Sequence, residues 1–77
     1  MTLYGRPGCH LCDDAREAIL ALAGDRIELL EVDIEANDRL LSAYLERIPV
    51  VEVGGRVVSE LEFDPDAFSR ALHTVGP

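Results

Sequence analysis

Two cysteines separated by two residues, Cys9 and Cys12, sit where the chain changes from a short apolar strand pattern to a helical one. That junction, Arg6-Pro7-Gly8-Cys9-His10-Leu11-Cys12-Asp13-Asp14, limits the possible folds more than any other stretch. A thiol at a helix N-terminus lies beside unpaired backbone N–H groups and the positive end of the helix dipole. Both stabilise a thiolate, so the free-cysteine pKa of about 8.5 is drawn toward neutrality or below. A second thiol, one turn further in, is placed to attack a mixed disulfide formed by the first. A Cys-x-x-Cys at a strand-to-helix junction therefore reads as a thiol–disulfide redox site. Two other uses of the pair stay open. Structural zinc takes four ligands, usually as two separated pairs, and His10, between the cysteines, is badly placed to join them; no metal site is expected. An inert disulfide is disfavoured wherever reducing thiols prevail.

At 77 residues the chain reads as a single domain over 1–77, near the lower end of what an unstapled core supports. Its hydrophobic fraction of 48% is that of an ordinary globular protein. No apolar run approaches the ~20 residues that span a bilayer, and no secretory signal pattern precedes the first strand. Cytoplasm is the expected compartment, where a Cys-x-x-Cys is more often functional than a staple. The net charge of −8 argues against nucleic acid as a partner. Its acids are spread over several segments, as on solvated faces.

Taken in order, Thr2-Leu3-Tyr4-Gly5 is β-prone, and Gly5 can turn the chain toward the cysteines. From His10 onward, Leu11, Ala15, Ala18, Ile19 and Leu22 recur on one helical face, with Asp13 and Asp14 in the first turn and Gly24 as the stop. Ile27 through Ile34 reads as a strand. Asn37 to Leu45 returns to helical spacing, with Leu40, Leu41, Tyr44 and Leu45 together. Pro49 ends this helix and pushes Ile48 toward an extended conformation. Val50–Val53 and Arg56–Ser59, around Gly54-Gly55, form a β-hairpin. Asp64 and Pro65 suit an N-cap and first position of a last helix, carried by Ala67, Phe68, Ala71, Leu72 and Val75 up to Gly76. The first strand–helix–strand implies parallel strands joined by a right-handed crossover. The expected class is α/β, ordered β-α-β-α-β-β-α, with a four-stranded mixed sheet flanked by helices.

This order, with Cys-x-x-Cys opening the first helix and Ile48-Pro49-Val50 entering the third strand, resembles the thioredoxin fold in its minimal glutaredoxin form. It is similar above all to short bacterial glutaredoxin-like proteins, and the likeness spans nearly the whole chain. The resemblance implies a cis peptide before Pro49, facing the cysteine pair, with the backbone of Ile48 pairing with an extended substrate. It also marks departures. Between the cysteines stand His10-Leu11 rather than Pro-Tyr. Where glutaredoxins carry Gly-Gly-x-x-Asp for the γ-glutamyl end of glutathione, this chain has Ser59-Glu60-Leu61-Glu62, whose acids would repel that group.

The activity this implies is a dithiol oxidoreductase that reduces protein or small-molecule disulfides. Cys9, nearest the solvent-facing start of the helix, is the expected nucleophile, and Cys12, further in, the resolving thiol. Arg6 and Arg47 are placed to stabilise a thiolate or hold a substrate carboxylate, or else are simply solvated. His10, if protonated, favours the thiolate, while Asp13 and Asp14 oppose it. With Leu11, Ile48 and Pro49 these side chains make up the expected substrate-binding set. No bound cofactor is expected. Glutathione or a flavoprotein reductase is the expected electron donor, and the protein is expected to be a monomer with no membrane partner. The competing readings are a non-catalytic binding module working through the Ile48-Pro49 groove and a metal or iron–sulfur carrier using Cys9.

Overall fold

Short strands limit this sheet, and the helices have to finish its burial. The computed structural model describes residues 1–75, with side chains through His73. Strands β1 (Thr2–Gly5), β2 (Leu30–Asp33), β3 (Val50–Val53) and β4 (Arg56–Glu60) form one mixed sheet in the order β2-β1-β3-β4. β1 runs parallel to β2 and antiparallel to β3, which is antiparallel to β4. Helix α1 (His10–Ala23) makes the crossover that a parallel pair requires, α2 (Asp38–Tyr44) precedes β3, and α3 (Pro65–Val75) follows β4.

Alternation along the strands splits the core in two. Leu3 and its cross-strand partner Val51 are buried with Ala15, Ile19 and Ala23 of α1 and Phe68 of α3. Tyr4 and its partner Val50 point the other way, to Ile34, Ile48 and the α2 residues Leu40, Leu41 and Tyr44. Both sheet faces are therefore covered, as the β-α-β-α-β-β-α order implies. At the hairpin, Gly54 and Gly55 take φ of 60° and 82°, the positive values that a two-residue turn between twisted strands demands.

Four local expectations are corrected. The strand read over Ile27–Ile34 is confined to Leu30–Asp33, because β2 is an edge strand and β1 offers it only four partners, Thr2 to Gly5. Ile34 leaves the strand in a 3-10 turn, Ile34–Ala36, whose cap Asp33 accepts the Glu35 N–H at 2.9 Å. Asn37 is the N-cap of α2 rather than its first residue, accepting the N–H groups of Arg39 and Leu40. The buried face of α1 is Cys12, Ala15, Ile19 and Ala23, so Leu11 (52% exposed) and Leu22 (41%) stand outside it. Small side chains let this helix lie close to the sheet, and the leucines that marked the periodicity are rotated toward solvent. Leu45, expected on the apolar face of α2, is its C-cap and likewise faces outward. Asp64 accepts the Ala67 N–H at 3.0 Å, capping α3 as expected, while the expected stop at Gly76 lies outside the described residues. No helix of the described residues is long and apolar enough to cross a membrane.

Ser59 is buried opposite Val51, next to an irregularity where Val57 rather than Val58 pairs with Glu52. Its hydroxyl has no hydrogen-bond partner in an apolar setting. A buried polar group without a partner costs roughly 1–3 kcal/mol. Ser59→Ala should therefore stabilise the fold by about 1 kcal/mol. Urea unfolding should show a higher midpoint at unchanged slope.

Candidate redox site

Gly5 ends β1, and the chain then turns through Pro7 and Gly8 to bring Cys9 to the N-cap of α1. The Cys9 Sγ accepts the backbone N–H of Cys12 at 3.1 Å, and the Cys9 carbonyl accepts the N–H of Asp13 at 3.1 Å. Cys9 thus satisfies one orphan donor of the helix start with its side chain, in the way serine or aspartate does elsewhere. The same donor and the dipole of a 14-residue helix favour negative charge on this sulfur. Cys12 is 6% exposed, whereas Cys9 is only partly covered. The two form a disulfide with Cα atoms 5.2 Å apart, inside the range such bonds occupy.

Cys12 lies directly over Gly5. A methyl group on Gly5 would stand 3.0 Å from the Cys12 Sγ and 3.1 Å from its Cβ. Gly5 is therefore a close-approach residue for Cys12, a role its sequence setting, which suggested only a turn, does not advertise. The N-terminal end of α1, β1 and β2 enclose a cleft of about 340 Å³ with Arg6, Pro7, Cys12, Asp13, Glu31 and Asp33 on its walls.

The other expected site residues divide into two groups. Ile48 (8% exposed) and Val50, on either side of the fully buried Pro49, pack in one cluster with Cys12 and Ile34, and Cys9 lies against it. The Ile48-Pro49 peptide is cis. The Ile48 N–H donates to the Tyr44 carbonyl at 3.0 Å. His10 and Leu11 are exposed on the outer side of the helix start. Arg6 lines the cleft and pairs with Glu35 at 3.7 Å; both side chains are nearly half exposed, which makes this a pair worth about 0–1 kcal/mol. Arg47 is paired with Glu60 and lies 5.0 Å over the Tyr44 ring.

Two features escaped the sequence. Tyr4 and Tyr44 pair their rings at 4.9 Å beneath the cysteine cluster. Leu61 takes φ of 64°, and its N–H donates to the Arg47 carbonyl at 2.9 Å, tying the loop after β4 to the segment before Pro49. A side chain in the left-handed region costs roughly 1–2 kcal/mol. The signal for this constraint is hidden because glycine, the usual occupant, is absent. Among the described residues no three His, Cys, Asp or Glu side chains converge as metal ligands.

A disulfide at the start of the first helix, on a four-stranded mixed sheet with helices on both faces, defines a small thioredoxin-like protein. The model of the glutaredoxin-like domain family (DUF836) matches residues 1–73, and the chain belongs to that family. Its structure is similar to the X-ray structure of protein XcR50 from X. campestris, 40% identical, with a TM-score of 0.73 over 99% of this chain and 97% of that one. It is also similar to the solution structure of protein Ne2328 from Nitrosomonas europaea, 25% identical, with a TM-score of 0.69 over 90% of this chain and 85% of the other. Among curated proteins it is 25% identical to the "Glutaredoxin-like protein YDR286C homolog" of Dictyostelium discoideum, over 94% of this chain and 73% of that protein.

Two outcomes test this geometry. In Gly5→Ala the added methyl crowds Cys12 Sγ while the disulfide holds it, and only the dithiol frees that sulfur to rotate. The disulfide should become about tenfold easier to reduce in glutathione buffers, a potential less negative by about 30 mV. The Tyr4 phenol is pushed above its ordinary value of 10.0, first by burial, then by the Glu52 and Tyr44 charges and a hydrogen bond to Glu52. The folded state then holds this proton more tightly than the unfolded chain. Its contribution to stability is whole below pH 10 and is lost as the pH rises through the raised value. Urea midpoints measured across that window should fall more steeply in the parent than in Tyr4→Phe.

Proposed function

We propose that this protein is a thiol–disulfide oxidoreductase in which Cys9 and Cys12 alternate between dithiol and disulfide. The observation that carries the reading is the Cys12 N–H donated to the Cys9 sulfur at the head of α1. A donor and a helix dipole aimed at one sulfur lower the energy of its thiolate, which is the attacking species. The exposure difference supports the division of labour: the partly exposed Cys9 meets the substrate and the buried Cys12 resolves.

The reaction runs in two exchanges. The Cys9 thiolate attacks one sulfur of a substrate disulfide, forming a Cys9–substrate bond and releasing the other substrate half as a thiolate, which takes up a proton. The Cys12 thiolate then attacks Cys9 Sγ and expels the second half. Two electrons have passed to the substrate, and the protein is left as the Cys9–Cys12 disulfide. Two molecules of glutathione, or a flavoprotein reductase, would return the electrons. The Ile48 N–H is already engaged by Tyr44, so a substrate backbone N–H would meet the Ile48 carbonyl. The exposed Leu11 and His10 flank that approach. We assign the protein to the cytoplasm, where reducing thiols can reset such a pair.

Equilibration with glutathione buffers of graded potential, read by mass spectrometry, tests the couple. A reversible loss of two hydrogens at a definite potential is expected, absent in Cys9→Ser and in Cys12→Ser. Cys12→Ser should instead accumulate the mixed disulfide at Cys9. Thiols that never pair reversibly would overturn the assignment.

A further inference from the structure

Three arginines of the cleft and the proline segment each have a glutamate partner. Arg6, on the cleft wall, pairs with Glu35 at 3.7 Å; Arg16, on α1, pairs with Glu31 of the same cleft at 3.9 Å; Arg47, next to Ile48, pairs with Glu60. The acids are not matched in the same way. Asp13 and Asp33 both line the cleft with Cys12, and no arginine pairs with either among the described residues. Asp33 accepts the Glu35 N–H, a bond that leaves its charge in place. Asp14 is exposed in the first turn of α1, and exposed Glu62 follows Leu61 in the loop tied to Arg47. His10 is the other titratable side chain at this helix end.

We propose that the substrates of this site are disulfides carried on cationic chains, with lysine or arginine beside the cysteine. The proposal rests on the oxidoreductase reading and names its substrate class. An anionic chain on a disulfide that meets Cys9 would find Arg6, Arg16 and Arg47 held by glutamates and the carboxylates of Asp13 and Asp33 around the neighbouring Cys12. A cationic chain meets Asp13 and Asp33 without displacing an existing pair. Exposed charges act over a Debye length of about 8–10 Å at moderate salt, which spans a cleft of this size. Fields of this kind change association rates by about 10–10³-fold and fade as salt rises.

The test uses the pre-reduced full chain in single turnover, so that the protein dithiol supplies both electrons. The substrates are two symmetric peptide disulfides of equal length, one with lysines and one with glutamates beside the cysteine, and uncharged hydroxyethyl disulfide. Each rate is divided by that of dithiothreitol, a neutral thiol, with the same substrate, which removes the intrinsic reactivity of the disulfide. At low salt the lysine peptide should react about tenfold faster than the glutamate peptide, and at 0.5 M salt the ratio should approach one. In the double variant Asp13→Asn, Asp33→Asn the ratio should drop at low salt. It is read within the variant, so any change in thiol reactivity cancels, and asparagine preserves the Asp33 cap. A ratio at or below one, or one indifferent to salt and to the two aspartates, overturns the proposal while reduction of hydroxyethyl disulfide continues. Failure to reduce any of the three substrates would instead overturn the oxidoreductase reading, and this proposal with it.

Discussion

The contact between Cys12 and Gly5 sets the distance at which the first turn of α1 rides over β1, and the rest of the site follows from it. Because no side chain intervenes at Gly5, the helix start descends until the Cys12 sulfur is buried against the strand end. The small residues Ala15 and Ala23 continue the close approach along the helix, with Ile19 filling the space between them. The same placement leaves Cys9 at the rim, where its sulfur replaces a polar cap for the helix it opens. One thiol is thereby made a buried partner and the other a solvent-facing acceptor of a backbone N–H. That asymmetry is what dithiol exchange needs, since the attacking and resolving sulfurs must differ in access.

A second constraint holds the opposite wall. The segment before Pro49 is tied at Ile48 to the end of α2, at the Arg47 carbonyl to Leu61, and through the Arg47 side chain to Glu60 and Tyr44. Leu61 accepts an unfavourable backbone conformation to complete this tie. The loop occupies the place where the glutaredoxin pattern has paired glycines and an acid for glutathione. Here it serves to hold the proline segment, and it brings Glu62 to the surface rather than a set of free donors. The ion pairs of Arg6, Arg16 and Arg47 belong to the same picture: these arginines help to hold the walls together.

Much of the fold was legible because its elements carry local signals. Gly54-Gly55 between β-branched runs specifies a hairpin, Asp64-Pro65 a helix start, and Gly24 a helix stop. The cysteine pair marks the site without help from any distant residue. The extent of β2 was not legible: Ile27–Leu29 have strand-like side chains, but a strand is as long as its partner allows, and β1 ends after four residues. The face of α1 was misread for a related reason. Periodicity counts leucines, whereas the sheet selects the smallest side chains where the backbones come closest.

By itself, then, the sequence determined the order of strands and α-helices, the hairpin turn, the Asp64 cap, and the chemistry available at Cys9 and Cys12, because each depends on residues within a few positions of one another. The tertiary structure alone decided that Gly5 makes room for the Cys12 sulfur, which carboxylates Arg6, Arg16 and Arg47 hold, and that Leu61 braces the proline segment. Those depend on distances between residues far apart in the chain, such as Leu61 and Arg47 or Arg16 and Glu31, and only packing sets such distances.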